Sequence, residues 1–181
     1  METLTNKLGG IGASEIGALF TQQGLKAKTA QTLAYDKALE LINGYKKEFT
    51  TVAMQHGIFN EEEAFINIVL EVFPNAKYQS NVSFKIKDNV WATPDVIDEV
   101  EEFSMDIKCP YSVYTFFENA KKLPSYYVAQ NQMQMLATGY KKGYVLLYLT
   151  SNITDDYGNK IEFDIALSDR HKFIEIGRAH V

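Results

Sequence analysis

The chain has 181 residues, a formal net charge of −5, one cysteine, 46% hydrophobic residues and 23% charged residues. That balance supports a packed core and excludes a disordered chain; a single thiol excludes a disulfide framework or a cluster held by several thiolates. The acidic balance also excludes a protein that coats nucleic acid by general positive charge, and no apolar run reaches the ~18–20 residues a membrane helix requires.

The N-terminal residues read as a loop ending in Gly9-Gly10-Ile11-Gly12, then a short helix from Ala13 to Phe20 with Ser14 near its start. A second helix is predicted from Ala27 to Leu41, stopping near Gly44. A third covers Thr51 to Val72, because Phe65, Ile68, Val69 and Val72 recur at helical spacing. Gly57 marks a break or a close approach within it. Val82, Phe84 and Ile86 alternate with polar residues as in a strand. A turn at 87–89 leads into a second strand, Val90 to Ile97, so the two form a hairpin. Phe103 to Cys109 is a third strand, stopped by Pro110. Helices follow over 112–121 and from Pro124 to about Gly139, then strands Gly143 to Thr150 and Lys160 to Ala166. A last helix is predicted from Ser168, with Phe173 and Ile176 on one face. The order predicts an α/β fold: a mixed central sheet flanked by helices, in one domain over 1–176. Residues 177–181 read as a vector-derived or frame-shifted tail. The first residues lack a basic segment followed by an apolar stretch, so no secretory signal is expected and a cytoplasmic location is.

Three acidic positions stand out. Glu61 lies in Glu61-Glu62-Glu63 after Gly57, and spacing from Gly57 favours it over its two neighbours. Asp95 lies in Ala92-Thr93-Pro94-Asp95, and Asp106 in Met105-Asp106-Ile107-Lys108-Cys109. Asp106 and Lys108 are two apart on a strand and share a face, while Met105 and Ile107 point to the opposite one. If the hairpin neighbours the third strand, Asp95 and Asp106 converge. Carboxylates held together repel unless a cation lies between them, and hard oxygen ligands favour Mg²⁺ or Mn²⁺ over zinc. Such an ion activates water and neutralises a phosphodiester under attack; Lys108 then either handles the water or steadies developing negative charge. Taken singly, each position has a plainer reading, as a solvated helix face, a turn or an edge-strand charge pair. Taken together, in this order and on these elements, they read as a catalytic group. Cys109 reads as a buried, inert thiol, and His56 as helix surface.

Asp95 followed by Asp106-Ile107-Lys108 on a strand resembles the PD-(D/E)XK nuclease signature. More narrowly, the chain is similar to the lambda-exonuclease or YqaJ-type viral recombinase family. The carrying segments are Gly10-Ile11-Gly12-Ala13-Ser14-Glu15-Ile16, Gly57 with Glu61 and Ala64, Ala92 to Asp95, Asp106 to Pro110, and Tyr127 with Gln130, Gln132 and Thr138-Gly139.

The resemblance implies that Glu61, Asp95 and Asp106, with the Ile107 carbonyl, bind one or two Mg²⁺ ions (Mn²⁺ substituting). It implies that Lys108 assists the water and that Gln130 lies beside the active site. Ser14 would receive a 5′-phosphate, with Lys7 standing where the family often has an arginine. The implied activity is exonucleolytic digestion of one strand from double-stranded DNA ends, 5′ to 3′, leaving an overhang for a single-strand annealing protein. A homotrimer is implied by the same resemblance. Asp106 departs from the commoner glutamate, and Glu62 from a proline. A restriction or repair endonuclease, or a non-catalytic DNA-binding or inhibitor protein on the same scaffold, stands as the alternative.

Overall fold

A computed structural model describes residues 7–19, 24–47, 49–79, 82–151 and 165–177. Helix α1 (Lys28–Asn43) ends at Gly44, which takes the left-handed conformation at φ 72° that stops a helix cheaply only at glycine. Helix α2 (Val52–Ala64) starts on Thr51, whose hydroxyl accepts the Met54 N–H. It runs through Gly57 without a break. The irregularity comes later, as a π turn over Phe65–Val69 that leads into a final turn, α3 (Leu70–Val72). The stretch from Ala13 to Ala18 is a 3₁₀ helix, preceded by a two-residue strand β1 (Ile11–Gly12).

Among the described residues the strands form two sheets. The larger has the order β2 (Lys77–Tyr78), β5 (Val96–Asp98), β6 (Phe103–Lys108), β7 (Lys142–Tyr148) and β8 (His171–Ile176). Its β6 and β7 run parallel and every other pair is antiparallel. The smaller sheet has the order β1, β4 (Val90–Ala92), β3 (Phe84–Lys87). This is the expected mixed α/β architecture.

Two expectations are corrected. The predicted strand from Val90 to Ile97 is two strands, β4 and β5, in different sheets. Pro94 has no N–H to give a ladder, so the chain leaves one sheet and enters the other across Thr93-Pro94-Asp95. The predicted helix from Ser168 is instead a 3₁₀ turn (Leu167–Asp169) and strand β8. Its period is two: Phe173 packs on Phe73, whereas Ile174 and Ile176 join the cluster on the opposite face. The predicted strand Lys160 to Ala166 lies outside the described residues up to 164, and Ile165 and Ala166 are not strand. Residues 178–181 and Phe20 also lie outside them. The two-residue β2 was not expected from the sequence.

The sheet is buried on both faces, as a parallel strand pair requires. Met105, Ile107, Leu146 and Tyr148 pack with Ala64, Phe65, Ile68 and Val69 on one side. Val145, Leu147 and Leu149 pack with Phe116 of α4 (Val113–Lys121) on the other. Asp106 and Lys108 pair with Val145 and Leu147, so they share that second face. There α5 (Ser125–Thr138) crosses β6 and β7 and supplies the polar Gln130 and Gln134 beside the apolar Val128.

Candidate active site

Strand β6 presents Asp106 from the protein interior, 1% exposed. Lys108 reaches back along the same face and places its Nζ 2.6 Å from Asp106 Oδ2. The other oxygen, Oδ1, accepts from Gln130 Nε2 and from Gln134 Nε2, each at 2.9 Å. The ring of Tyr127 lies under the Lys108 ammonium, with its centroid 5.2 Å away. Tyr127, Gln130 and Gln134 are three and four residues apart on α5, so one helical stripe covers the charged pair. Gln130 is a residue the sequence singles out. Gln134 is one it does not, although its place one turn further along the same stripe is the available signal.

Asp95 enters from the gap between the two sheets. Its main-chain N–H donates to Met105 O at 3.1 Å, and its Oδ2 accepts the Ile107 N–H at 2.7 Å. Asp95 thus meets β6 at the main chain on either side of Asp106. Asp95 keeps a strip of accessible surface, but protein atoms crowd its carboxyl. That burial, with the charge of Asp106, pushes its pKa well above the usual carboxylate range, against the opposing pull of Lys108.

Of the three adjacent glutamates, Glu61 is the one that feels the charges of the Asp106–Lys108 pair. Burial raises its pKa, Lys108 lowers it and Asp106 raises it again. Glu62 is exposed, and Glu63 accepts from the Tyr148 hydroxyl at 2.8 Å. Burial works against the charge on Lys108, but the carboxylates of Asp106 and Asp95 outweigh it and hold the amine above its ordinary pKa. Its amine rests 2.6 Å from Asp106 Oδ2, a place from which it can stabilise negative charge on a bound phosphate. Burial likewise pushes the Cys109 thiol up, which agrees with an inert core residue. His56 stacks edge-on against Tyr111 at 5.2 Å, and burial lowers its pKa.

The donors suit a hard divalent cation. Asp106 Oδ2 is buried and, apart from the ammonium, has no partner among the described residues. Among those residues no three acidic, imidazole or thiolate groups lie close enough together to hold a metal ion, so the expected three-carboxylate set of Glu61, Asp95 and Asp106 is not assembled here. Mg²⁺ does not need all three: it binds through one or two carboxylates and takes its other ligands from water and substrate phosphate.

A cleft of about 250 Å³ adjoins this cluster. Lys7, Ser14, Lys46, Trp91 and Gln130 are among its walls. Ser14 is exposed at the start of the 3₁₀ helix. Lys7 Nζ donates to Ser83 Oγ and lies 5.6 Å from the Trp91 ring centroid. The two residues expected at a terminal phosphate thus share one cavity with the glutamine that binds Asp106.

The model of the YqaJ-like viral recombinase domain matches residues 4–141. The chain belongs to that family. Solved structures agree with this YqaJ-like domain in fold. The alkaline exonuclease LHK-Exo from Laribacter hongkongensis is 22% identical, with a TM-score of 0.74 over 96% of this chain and 79% of that one. Its complex with dAMP gives a TM-score of 0.75 over 97% and 80%. A phage-related exonuclease from Haemophilus somnus 129PT is 17% identical, with a TM-score of 0.75 over 94% and 85%. The YqaJ-like domain therefore shares the fold of these exonuclease structures. No curated protein matches it in sequence. Among the described residues no helix is long and apolar enough to cross a membrane.

Proposed function

We propose that this YqaJ-like domain is a metal-dependent deoxyribonuclease that digests one strand of linear duplex DNA from its 5′ end. One observation carries the reading: Gln130 both holds Asp106 and lines the cleft that contains Lys7 and Ser14. A strand terminus seated in that cleft lies beside the carboxylate cluster. The fold neighbours are exonucleases, and one of them has been captured with a nucleoside monophosphate.

Asp95 and Asp106, with the Ile107 carbonyl, would hold Mg²⁺ or Mn²⁺, and Glu61 would reach the ion through bound water. The ion would activate water and offset the charge of the attacked phosphodiester. Lys108, beside Asp106, would stabilise negative charge at the same phosphate. Gln130 and Gln134 hold the orientation of Asp106. Ser14 and Lys7 bind the terminal phosphate, Lys7 supplying charge without the planar fork of arginine. The family's homotrimer, and the transfer of a 3′ overhang to an annealing protein, belong to the same proposal.

Linear duplex with labelled 5′ or 3′ ends, incubated with Mg²⁺ or with EDTA, tests it. Wild type should release label from 5′ ends only with the metal, and Asp106→Ala and Lys108→Ala should release none. Undiminished digestion by either variant refutes the site. Cleavage of closed circular duplex would favour the endonuclease reading instead.

A further inference from the structure

Three buried side chains form a line between β7 and the cleft. Asn131 and Gln134 are 0% exposed and Asp106 is 1% exposed. Asn131 Nδ2 donates to Tyr144 O at 2.9 Å and to Gln134 Oε1 at 3.3 Å. Gln134 Nε2 in turn donates to Asp106 Oδ1 at 2.9 Å and reaches Thr93 O at 3.4 Å.

Chemistry fixes the direction of these bonds. A main-chain carbonyl only accepts, so Asn131 must turn its amide nitrogen toward Tyr144. Asp106 meets the Lys108 amine through Oδ2 and accepts through Oδ1, so Gln134 turns its nitrogen toward Asp106 and its oxygen toward Asn131. The two constraints, set at opposite ends, agree. Neither amide can flip without setting oxygen against oxygen in a site closed to water. Gln130 is different, because it forms part of the open cleft wall and can follow a moving carboxylate. Gln134 also touches the segment that leads to Asp95, so one helix residue ties both carboxylate-bearing segments.

We infer that Gln134, held in polarity by Asn131, is a positioning residue for the metal ligand Asp106: it engages Oδ1 and so directs Oδ2 toward the divalent cation. Hydrogen-bonded partners behind a metal ligand fix its orientation, and their loss typically costs ~10–100-fold in metal affinity. The inference rests on the nuclease reading, and its test separates the two.

Binding of Mn²⁺ alone is measured by titration calorimetry on wild type, Gln134→Met and Gln134→Glu, with a thermal melt of each. Gln134→Met keeps the volume and leaves Asn131 bonded to Tyr144 and Asp106 bonded to Gln130. Gln134→Glu keeps the shape and sets a second acceptor against Oδ1. Both variants should melt cooperatively and bind Mn²⁺ at least tenfold more weakly, with the KM for DNA unchanged at saturating metal. A folded variant with wild-type Mn²⁺ affinity overturns the inference, and so does failure of both variants to fold, which would make Gln134 purely structural. If wild type itself binds no Mn²⁺, the nuclease reading is what fails.

Discussion

The carboxylate of Asp95 accepts the main-chain N–H of Ile107 at 2.7 Å, while the Asp95 N–H donates to Met105 O. Side chain and main chain of one residue therefore bracket the segment that carries Asp106. The bracket exists because Pro94 ends one sheet just before Asp95 begins the next. The break in the strand is what lets a carboxylate lie along a neighbouring strand's backbone instead of projecting from its own face.

That arrangement sets stability against function. Asp95 is crowded by protein and by the charge of Asp106, and its raised pKa means that ionisation costs folding free energy in the metal-free protein. Asp95→Asn keeps an oxygen to accept the Ile107 N–H and removes the charge. It should stabilise the metal-free protein by about 1 kcal/mol, or a Tm rise of about 2–4 °C at this size, while abolishing Mn²⁺ binding. The sign follows from linkage. A carboxyl with a raised folded pKa destabilises progressively as pH climbs from its unfolded value toward the folded one, so the advantage of the asparagine variant should grow over that span. Melts in EDTA across pH decide it, and a variant less stable than wild type at neutral pH would count against the account.

A second charged group acts in the opposite sense. Lys37, 7% exposed on α1, bonds Glu15 at 2.8 Å and Glu40 at 2.9 Å. Glu15 also accepts the Gly12 N–H, and Glu40 the Gly9 N–H, so this network pins the loop and the 3₁₀ helix that carry Lys7 and Ser14. Lys37→Met would leave two carboxylates facing each other. It should cost about 3 kcal/mol, the low end for a broken buried pair because Glu15 retains Lys46 and is partly exposed. Chemical denaturation measures it, and a loss below the error of the method rejects the network's role.

The same network predicts an acid limb. Burial tends to raise the pKa of Glu15, but Lys37, the Gly12 N–H and Lys46 outweigh it and the net shift is downward from 4.5. Its contribution is thus present above that unfolded value and lost as pH falls through the lower folded one. The stability difference between wild type and Glu15→Gln should be constant above about pH 5 and shrink on acidification. A difference that instead widens in acid would contradict the assignment.

Gly143 tests the packing behind Asp106. A Cβ there would lie 2.1 Å from Asn131 Oδ1 and 2.5 Å from Met135 Sδ, so the side chains of Asn131 and Met135 must give way. Gly143→Ala should destabilise by at least about 2 kcal/mol and, by displacing Asn131, lower metal affinity as well. Loss of stability with wild-type Mn²⁺ affinity would show that Asn131 and Met135 yield without disturbing Gln134.

Much of the fold and of the site is legible in the sequence, and the rest is hidden for identifiable reasons. Asp106 and Lys108 are readable because a charged pair at strand spacing is rare inside an apolar run. Gln134 is not, since an amide in a helix rich in glutamine carries no mark of burial until the sheet is placed beneath it. The break at Thr93-Pro94-Asp95 is hidden because both flanking segments have strand composition. Strand β8 is misleading because Phe173 and Ile176, three apart, fit a helical face, and only the partners of Ile174 and Ile176 reveal the period of two. The π turn at Phe65–Val69 leaves no signal, because the apolar spacing there matches an ordinary helix.

The cleft makes the sharpest demand on substrate. Ser14 is exposed on its wall, Lys7 lies between Ser83 and the Trp91 ring, and Gln130 links the cavity to Asp106. If a terminal phosphate occupies it, Ser14→Ala loses one hydrogen bond to a charged group, worth roughly 1.5 kcal/mol or about a tenfold drop in preference for phosphorylated over hydroxyl 5′ ends. Lys7→Ala removes a cation and should reduce the slope of log affinity against log salt by about 1 for phosphorylated ends. On hydroxyl ends both variants should behave nearly as wild type, since the phosphate they serve is missing. Competition between the two kinds of end at several salt concentrations measures all three effects. Equal losses on both ends would place Ser14 and Lys7 on the duplex backbone and leave the terminal phosphate without a site in this cleft.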